Sequence, residues 1–279
     1  MNVRHHKAGL AYHRTGVGSQ LLLLHGMGSF GRAWEPVVGE FARVHDVIAV
    51  DLPGFGCSPP LREHAQIEDY VNALVAFLDA LELNEVHVVG NSVGCWLALE
   101  LAKRGRARSV TALSPVGLWR RPPWYVSVTF IGSWRLARAL RPWSRLALST
   151  RIGRAGFMLQ AMGRPWRMPH DAAVSAVLNL VNSPGLRPMF DAAAASRFSG
   201  GTNLAIPITV AFGSRDPIMM SPRVRMRDEL PQHVHWASLR GCGHVPMYDD
   251  PEQVVDLVLA TTWAPDACIE GTPLHDARP

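Results

Sequence analysis

The 279-residue chain is 48% hydrophobic and 18% charged, which excludes a disordered or low-complexity polypeptide and leaves material for a sizeable core. The net charge of +5 is unevenly spread: residues 117–200 hold twelve arginines, no lysine, two aspartates (Asp171 and Asp191) and no glutamate, a net +10, so the rest of the chain is at −5. Such a break marks a boundary and predicts a core at 1–116 and 201–265, an insert at 117–200 and a flexible tail at 266–279, where no apolar period survives.

The opening "MNVRHHKAGLAYHRTG" has charges but no apolar h-region, and no stretch reaches the roughly 18 apolar residues of a membrane span. Neither a signal peptide nor a transmembrane segment is expected, and the chain reads as cytoplasmic. "GLAYHRTG" and "SQLLLLHG" predict a hairpin about the glycine-rich "TGVGS". "VHDVIAVDLPG" is a β-branched strand. "IEDYVNALVAFLDAL" sets Ile67, Tyr70, Val71, Leu74, Phe77, Leu78 and Leu81 at helical spacing. "EVHVVG" predicts a strand, "SVGCWLALELAKRG" a helix stopped by Gly105, and "SVTALSP" the next strand. The insert shows helical stretches around 126–141, 144–162 and 170–181. Two strands follow, "IPITVAFG" and "HVHWASLRG", then a closing helix "DPEQVVDLVLATTW" with Asp250 as N-cap and Pro251 in the first turn. Strands that alternate with helices and are almost continuously apolar predict an α/β fold, its mostly parallel sheet covered by helices on both faces. The insert is expected as a helical cap. Cys57, Cys95, Cys242 and Cys268 form no CxxC pair, and reduced thiols are the plainer reading.

Gly90-Asn91-Ser92-Val93-Gly94 fits G-x-S-x-G. Five residues are a weak pattern, but a strand before and a helix after are the setting in which the serine stands on a strained turn above the sheet. Small residues are needed on either side, and the free amides of a helix N-terminus lie beside the hydroxyl. The plain alternative is a turn serine. A serine needs a base, and of twelve histidines His244 has the distinctive setting, a glycine-flanked loop between the last strand and the last helix. Asp216, just past the strand "IPITVAFG", is the candidate acid, with an Asp-Pro turn initiator as the plain alternative. The order Ser92, Asp216, His244 is the one expected for a triad on an α/β sheet. Gly26 and Gly28 flank Met27 after an apolar strand, so the backbone amides of Met27 and Val93 are the candidate oxyanion hole.

Taken together, "LLLLHGMG", "DLPGFGCS", "GNSVG", "GSRDP" and "GCGHVPMYDDPEQV" resemble the α/β-hydrolase fold family from about residue 8 to residue 263. The resemblance implies an eight-stranded, mostly parallel sheet, a cap inserted after strand six, and cofactor-free acyl-transfer chemistry. "GNS" and "DLPGFGCS" also resemble the meta-cleavage-product carbon–carbon bond hydrolases, with departures at Val93, Cys95 and Val245. A serine rather than an aspartate at 92 points away from the haloalkane dehalogenase and epoxide hydrolase branches, whose covalent ester intermediate needs a carboxylate.

The expected activity is therefore a serine hydrolase acting on an ester, thioester or activated carbon–carbon bond of a hydrophobic small molecule. The alternatives are a non-hydrolytic cyclase or lyase on the same fold, and a ligand-sensing protein with little turnover. No cofactor or metal is expected. Phe130, Trp134, Phe157, Met158, Met162 and Met189 are candidate pocket residues, against the plainer reading that they form the insert's own core. The insert carries five of the nine tryptophans, and "GSWRLARALRPWSRLALSTRIGRAG" interleaves Arg, Leu and Trp. Three uses of that stretch stay open: a solvated face, a funnel for an anionic or carrier-linked substrate, and peripheral contact with a membrane. No motif supports nucleic-acid binding.

Overall fold

The computed structural model describes residues 4–263. Eight strands form one sheet in the order β1-β2-β4-β3-β5-β6-β7-β8: β1 (His5–Lys7), β2 (Leu10–Thr15), β3 (Ser19–Leu24), β4 (His45–Val50), β5 (Val86–Asn91), β6 (Ala107–Leu113), β7 (Ile208–Gly213) and β8 (His235–Leu239). From β4 to β8 every neighbouring pair is parallel, while β1 and β2 are antiparallel additions at one edge. The helices of the frame are α1 (Glu35–Phe41), α2 (Ile67–Ala80), α3 (Val93–Lys103) and, closing the chain, α9 (Pro251–Thr262). Five more helices lie between β6 and β7: α4 (Trp124–Ala139), α5 (Ser144–Leu148), α6 (Arg151–Met158), α7 (His170–Asn182) and α8 (Leu186–Ala195). The expected tail at 266–279, and Cys268 with it, lies outside the described residues.

Period-two alternation in the strands builds a core on each face. Leu22, Leu24, Ile48, Val50 and Val88 pack with α2, α3 and α8, whereas Leu21, Leu23, Val47, Ala49 and Val89 pack with α1 and α9. A strand buried on both faces must be apolar throughout, which is why "LLLL" and "VIAV" show no polar alternation. In α2 the residues buried are Ile67, Tyr70, Val71, Leu74, Phe77 and Leu78, as their spacing predicts. The closing helix starts as expected, with the Asp250 carboxylate accepting the Gln253 amide.

Two expectations need correction. The hairpin from "GLAYHRTG" to "SQLLLLHG" does not form, because β4 lies between β2 and β3 and pairs with both. The glycine-rich turn crosses over the start of β4, where a Cβ at Gly16 would strike the His45 carbonyl and one at Gly18 the Val44 carbonyl. The hairpin in this region instead joins β1 to β2 through Ala8 and Gly9, both at positive φ (46° and 79°), as a tight two-residue turn requires. The helix expected over 144–162 is broken into α5 and α6, since Thr150 caps α6 by accepting the Gly153 amide. Helix α8 was not expected. Its Pro188 stands in the first turn, where proline costs no hydrogen bond.

Phe77 is fully buried and meets the Tyr12 ring edge-on at 5.1 Å, joining α2 to the antiparallel edge of the sheet. Phe77→Ala is expected to cost about 3–5 kcal/mol, read as a lower urea midpoint at unchanged slope.

Candidate active site

The carboxyl ends of parallel strands bring Asp216 and His244 into contact and set Ser92 on the cavity that His244 borders. Winding from β3 to β4 runs one way and from β5 to β6 the other, so a crevice opens between β3 and β5 at the topological switch. Ser92 stands there, directly after β5 and directly before α3, at φ 56° and ψ −117°. That conformation is strained for a residue with a Cβ. A Cβ at Gly90 would strike the Cys95 amide nitrogen, and one at Gly94 the carbonyl of Leu24, so each glycine answers a close backbone approach. Val93 opens α3, and its amide is one of the unpaired donors of a helix N-terminus. The loop after β3 lies over the serine: a Cβ on Gly26 would come 3.1 Å from that of Ser92. Met27 follows and borders the same cavity.

Asp216 lies three residues past the end of β7 and is completely buried. Its Oδ1 accepts the amides of Ile218 and Met219 at 2.9 and 3.0 Å. Its Oδ2 faces His244 Nδ1 at 2.9 Å. Burial pushes the carboxyl up, but the charge and hydrogen bond of His244 and the Met219 amide outweigh it, so the group sits below the usual carboxylate range. An ionised Asp216 fixes the proton of His244 on Nδ1 and leaves Nε2 as the basic nitrogen. Ser92 and His244 both border one cavity of about 260 Å³.

Three residues that sequence reasoning did not single out hold this arrangement. Asn91, the x before the serine, donates from Nδ2 to the carbonyls of Leu113 and His244 at 3.0 and 2.8 Å, tying the histidine loop to the serine turn. His25 is buried between loops: its Nδ1 donates to the Gly26 carbonyl at 2.8 Å and its Nε2 accepts the Leu52 amide at 2.9 Å. Burial lowers its pKa, consistent with a neutral ring that both gives and takes a proton bond. The buried Asp249 carboxylate accepts the amides of Gly243, Gly163 and Arg164 at 2.6–2.8 Å. Burial nonetheless holds its carboxyl above the usual range. The available signal was position alone: each lies inside a motif already noted, His25 in "LLLLHGMG", Asn91 in "GNSVG" and Asp249 in "GCGHVPMYDDPEQV".

Of the six candidate pocket residues, Phe130, Trp134, Phe157, Met158 and Met162 border the cavity. Met189 does not; it is fully buried in the core that α8 shares with α2 and α3. The wall is completed by Phe30, Trp119, Phe190, Ile218 and Tyr248, among others. Side chains of fixed charge on it are Arg32 and Glu35, paired at 2.7 Å. Serine–histidine contacts away from this cavity are Ser19 Oγ to His45 Nδ1 and Ser109 Oγ to His87 Nδ1, each at 2.9 Å, the first where β3 and β4 begin. Among the described residues no cluster of His, Cys, Asp and Glu could hold a metal ion, and no helix is long and apolar enough to cross a membrane. The three described cysteines are free.

A family model described as the alpha/beta hydrolase family matches residues 21–257. The chain is 31% identical over 209 residues to epoxide hydrolase EphH of Mycobacterium tuberculosis, covering 68% of this chain and 91% of that one. It is 39% identical over 112 residues to a 2-hydroxy-6-oxo-2,4-heptadienoate hydrolase of Pseudomonas putida, 38% of this chain and 41% of the relative. Among solved structures, a thermophilic esterase from Thermogutta terrifontis superposes with a TM-score of 0.70 at 22% identity, covering 90% of this chain and 91% of that one.

The lowered Asp216 pKa has a sign. A carboxyl depressed in the folded state adds stability that is complete above the unfolded value, near pH 4, and is lost as pH falls through the folded value. The stability difference between the wild type and Asp216→Asn, from urea unfolding, is expected to shrink as the solution is taken below about pH 4. Parallel pH curves would contradict the assignment.

Proposed function

The chain belongs to the alpha/beta hydrolase family, and on that premise we propose that it is a cofactor-free serine hydrolase acting on an ester, thioester or activated carbon–carbon bond of a hydrophobic small molecule. The observation that carries the proposal is the buried 2.9 Å contact from Asp216 to His244, on the cavity that Ser92 also borders. In this reading Ser92 Oγ attacks the substrate carbonyl while His244 Nε2 takes its proton. The amides of Met27 and Val93 receive the oxyanion. The tetrahedral intermediate collapses, the leaving group departs with the proton from His244, and an acyl group remains on Ser92. Water, deprotonated by His244, attacks that acyl group and frees the acid and the serine. Asp216 keeps the imidazole in the right tautomer and balances its charge. The insert at 117–200 serves as the cap that walls the cavity from the side opposite the sheet.

The lining favours a neutral, apolar acyl group. Its aromatic and methionine side chains offer nothing to an anion, and its one fixed positive charge is already paired with Glu35. The partial match to the heptadienoate hydrolase speaks for a carbon–carbon substrate, but a dienoate brings a carboxylate for which the lining's fixed positive charge is already paired; the epoxide hydrolase relative is set against the serine at 92, since an ester intermediate on a carboxylate is not available there.

Ser92→Ala is expected to abolish labelling by a fluorophosphonate probe and to lower ester hydrolysis by about 10⁴-fold or more, with the fold retained by circular dichroism. Labelling that persists would remove Ser92 as nucleophile. Between an apolar aryl ester and the same ester ending in a carboxylate, kcat/KM is expected to favour the neutral one by about tenfold or more. A preference for the carboxylate would instead support the funnel reading of the insert.

A further inference from the structure

The outer surface of the insert is unlike the rest of the molecule. Helices α4 and α6 spend one face on the cavity, through Phe130, Ser133 and Trp134 of α4 and Phe157 and Met158 of α6. Their other faces are also apolar, and they are exposed. On α4, Trp124 and Val128 are one turn apart and 76% and 61% exposed, and Leu136 lies two turns on. Trp143 and Leu146 follow in the connection and in α5, and Ile152 of α6 is 86% exposed. These side chains add nothing to the core. A run of large exposed apolar groups on consecutive helices marks a contact surface.

The charge between them is of one sign. Arg135, Arg141, Arg145 and Arg151 are exposed and form no ion pair among the described residues. Of the two acids of the insert, Asp191 pairs with Arg187, and Asp171 bonds the neighbouring His170, whose other ring nitrogen meets the Arg145 carbonyl. Arginine interleaved with Trp, Leu and Ile on short helices, in a segment of net +10, matches a surface that is anionic outside and hydrocarbon just beneath.

We propose that the outer faces of α4, α5 and α6 dock this protein on an anionic lipid bilayer, with Trp124, Trp143, Leu146 and Ile152 entering the headgroup region and the arginines pairing with lipid phosphates. A second copy of the chain would set the unpaired arginines of two such faces against each other, and an acidic protein face would leave Leu146 and Ile152 without an apolar medium. Docking is lateral and peripheral, since no described helix is long and apolar enough to cross. It places the helices that wall the cavity against the phase where a hydrophobic substrate concentrates. The inference is independent of the catalytic reading, because binding is measured without turnover.

The test is co-sedimentation of the full chain with vesicles of pure phosphatidylcholine and with vesicles in which about a third is phosphatidylglycerol, at about 0.1 M salt. Partitioning to the anionic vesicles is expected to be about tenfold stronger or more, with a blue shift of tryptophan emission. Leu146→Ser with Ile152→Ser is expected to weaken it about tenfold, and Arg145→Gln or Arg151→Gln about fivefold each. None of these residues borders the cavity, so fluorophosphonate labelling of Ser92 without vesicles should keep its wild-type rate. Absent binding, equal binding to both vesicle types, or binding that the variants leave untouched would overturn the proposal. So would a concentration-dependent dimer, seen by light scattering, that Leu146→Ser dissolves. Loss of probe labelling with intact vesicle binding would instead fault the catalytic reading alone.

Discussion

The close approach of the β5–α3 turn to the strand beside it is the constraint from which the rest follows. Ser92 is held at a positive φ that costs on the order of 1–3 kcal/mol, so neighbours must hold it there. They do so through backbone. The Ser92 amide donates to the Leu113 carbonyl at the end of β6, and the Ser92 carbonyl accepts the amides of Cys95 and Val116. The fit leaves no room for a Cβ at positions 90 or 94, and it pulls the loop after β3 onto the serine. Cys95 belongs to this packing: its thiol, with one hydrogen to donate, lies 3.1 and 3.2 Å from the carbonyls of Gly90 and Leu113, and burial drives its pKa far up, so it acts as a small core residue and not as a nucleophile.

Once the turn is fixed, the parallel sheet does the remaining assembly. Strands β5, β6, β7 and β8 are neighbours in chain order, so the loops that follow β5, β7 and β8 emerge along one edge. Asp216 and His244 are 28 residues apart, yet meet because β7 and β8 pair in parallel with Gly213 opposite Leu239. Asn91 then closes the set by reaching the His244 carbonyl from the residue before the serine. A carboxylate placed after β6 instead would have approached from a different loop; that position holds Ser114, and the sequence offers no acid there.

Strong local signals survived folding, and pairing choices were hidden. Continuous apolar runs marked the buried strands, and the spacing from Ile67 to Leu78 marked α2, because burial acts on each residue separately. The order of strands is a relation between distant segments. "GLAYHRT" and "SQLLLL" are adjacent in sequence, and only the packing of Gly16 and Gly18 on Val44 and His45 shows that β4 comes between them. The candidate site was legible where a residue type and a loop position coincide, as at Ser92, Asp216 and His244. It was not legible at Asn91, His25 or Asp249, whose work is to bond backbone groups that no sequence pattern identifies. Met189 illustrates the same limit for the pocket: a methionine at a helical position reads alike whether it faces a cavity or the core.

The composition break at 117 and 200 suggests two separable bodies, but their bonding argues otherwise. Asp249, five residues past His244, gathers the Gly243 amide of the histidine loop with the Gly163 and Arg164 amides of the insert around one buried carboxylate. The Val245 amide donates to the Ala161 carbonyl at 2.7 Å, and Asn179 of α7 donates to the carbonyls of Gly28 and Ser29 in the loop after β3. The insert is thus fastened both to the loop of the candidate base and to the loop of a candidate oxyanion donor. A carboxylate buried among amides must keep all of them or face a desolvation cost, so these joints resist opening. The segment after α6 and helix α7 are thus bonded to residues one or two positions from the candidate machinery. The arginine-rich insert and the strained serine turn are parts of one bonded unit.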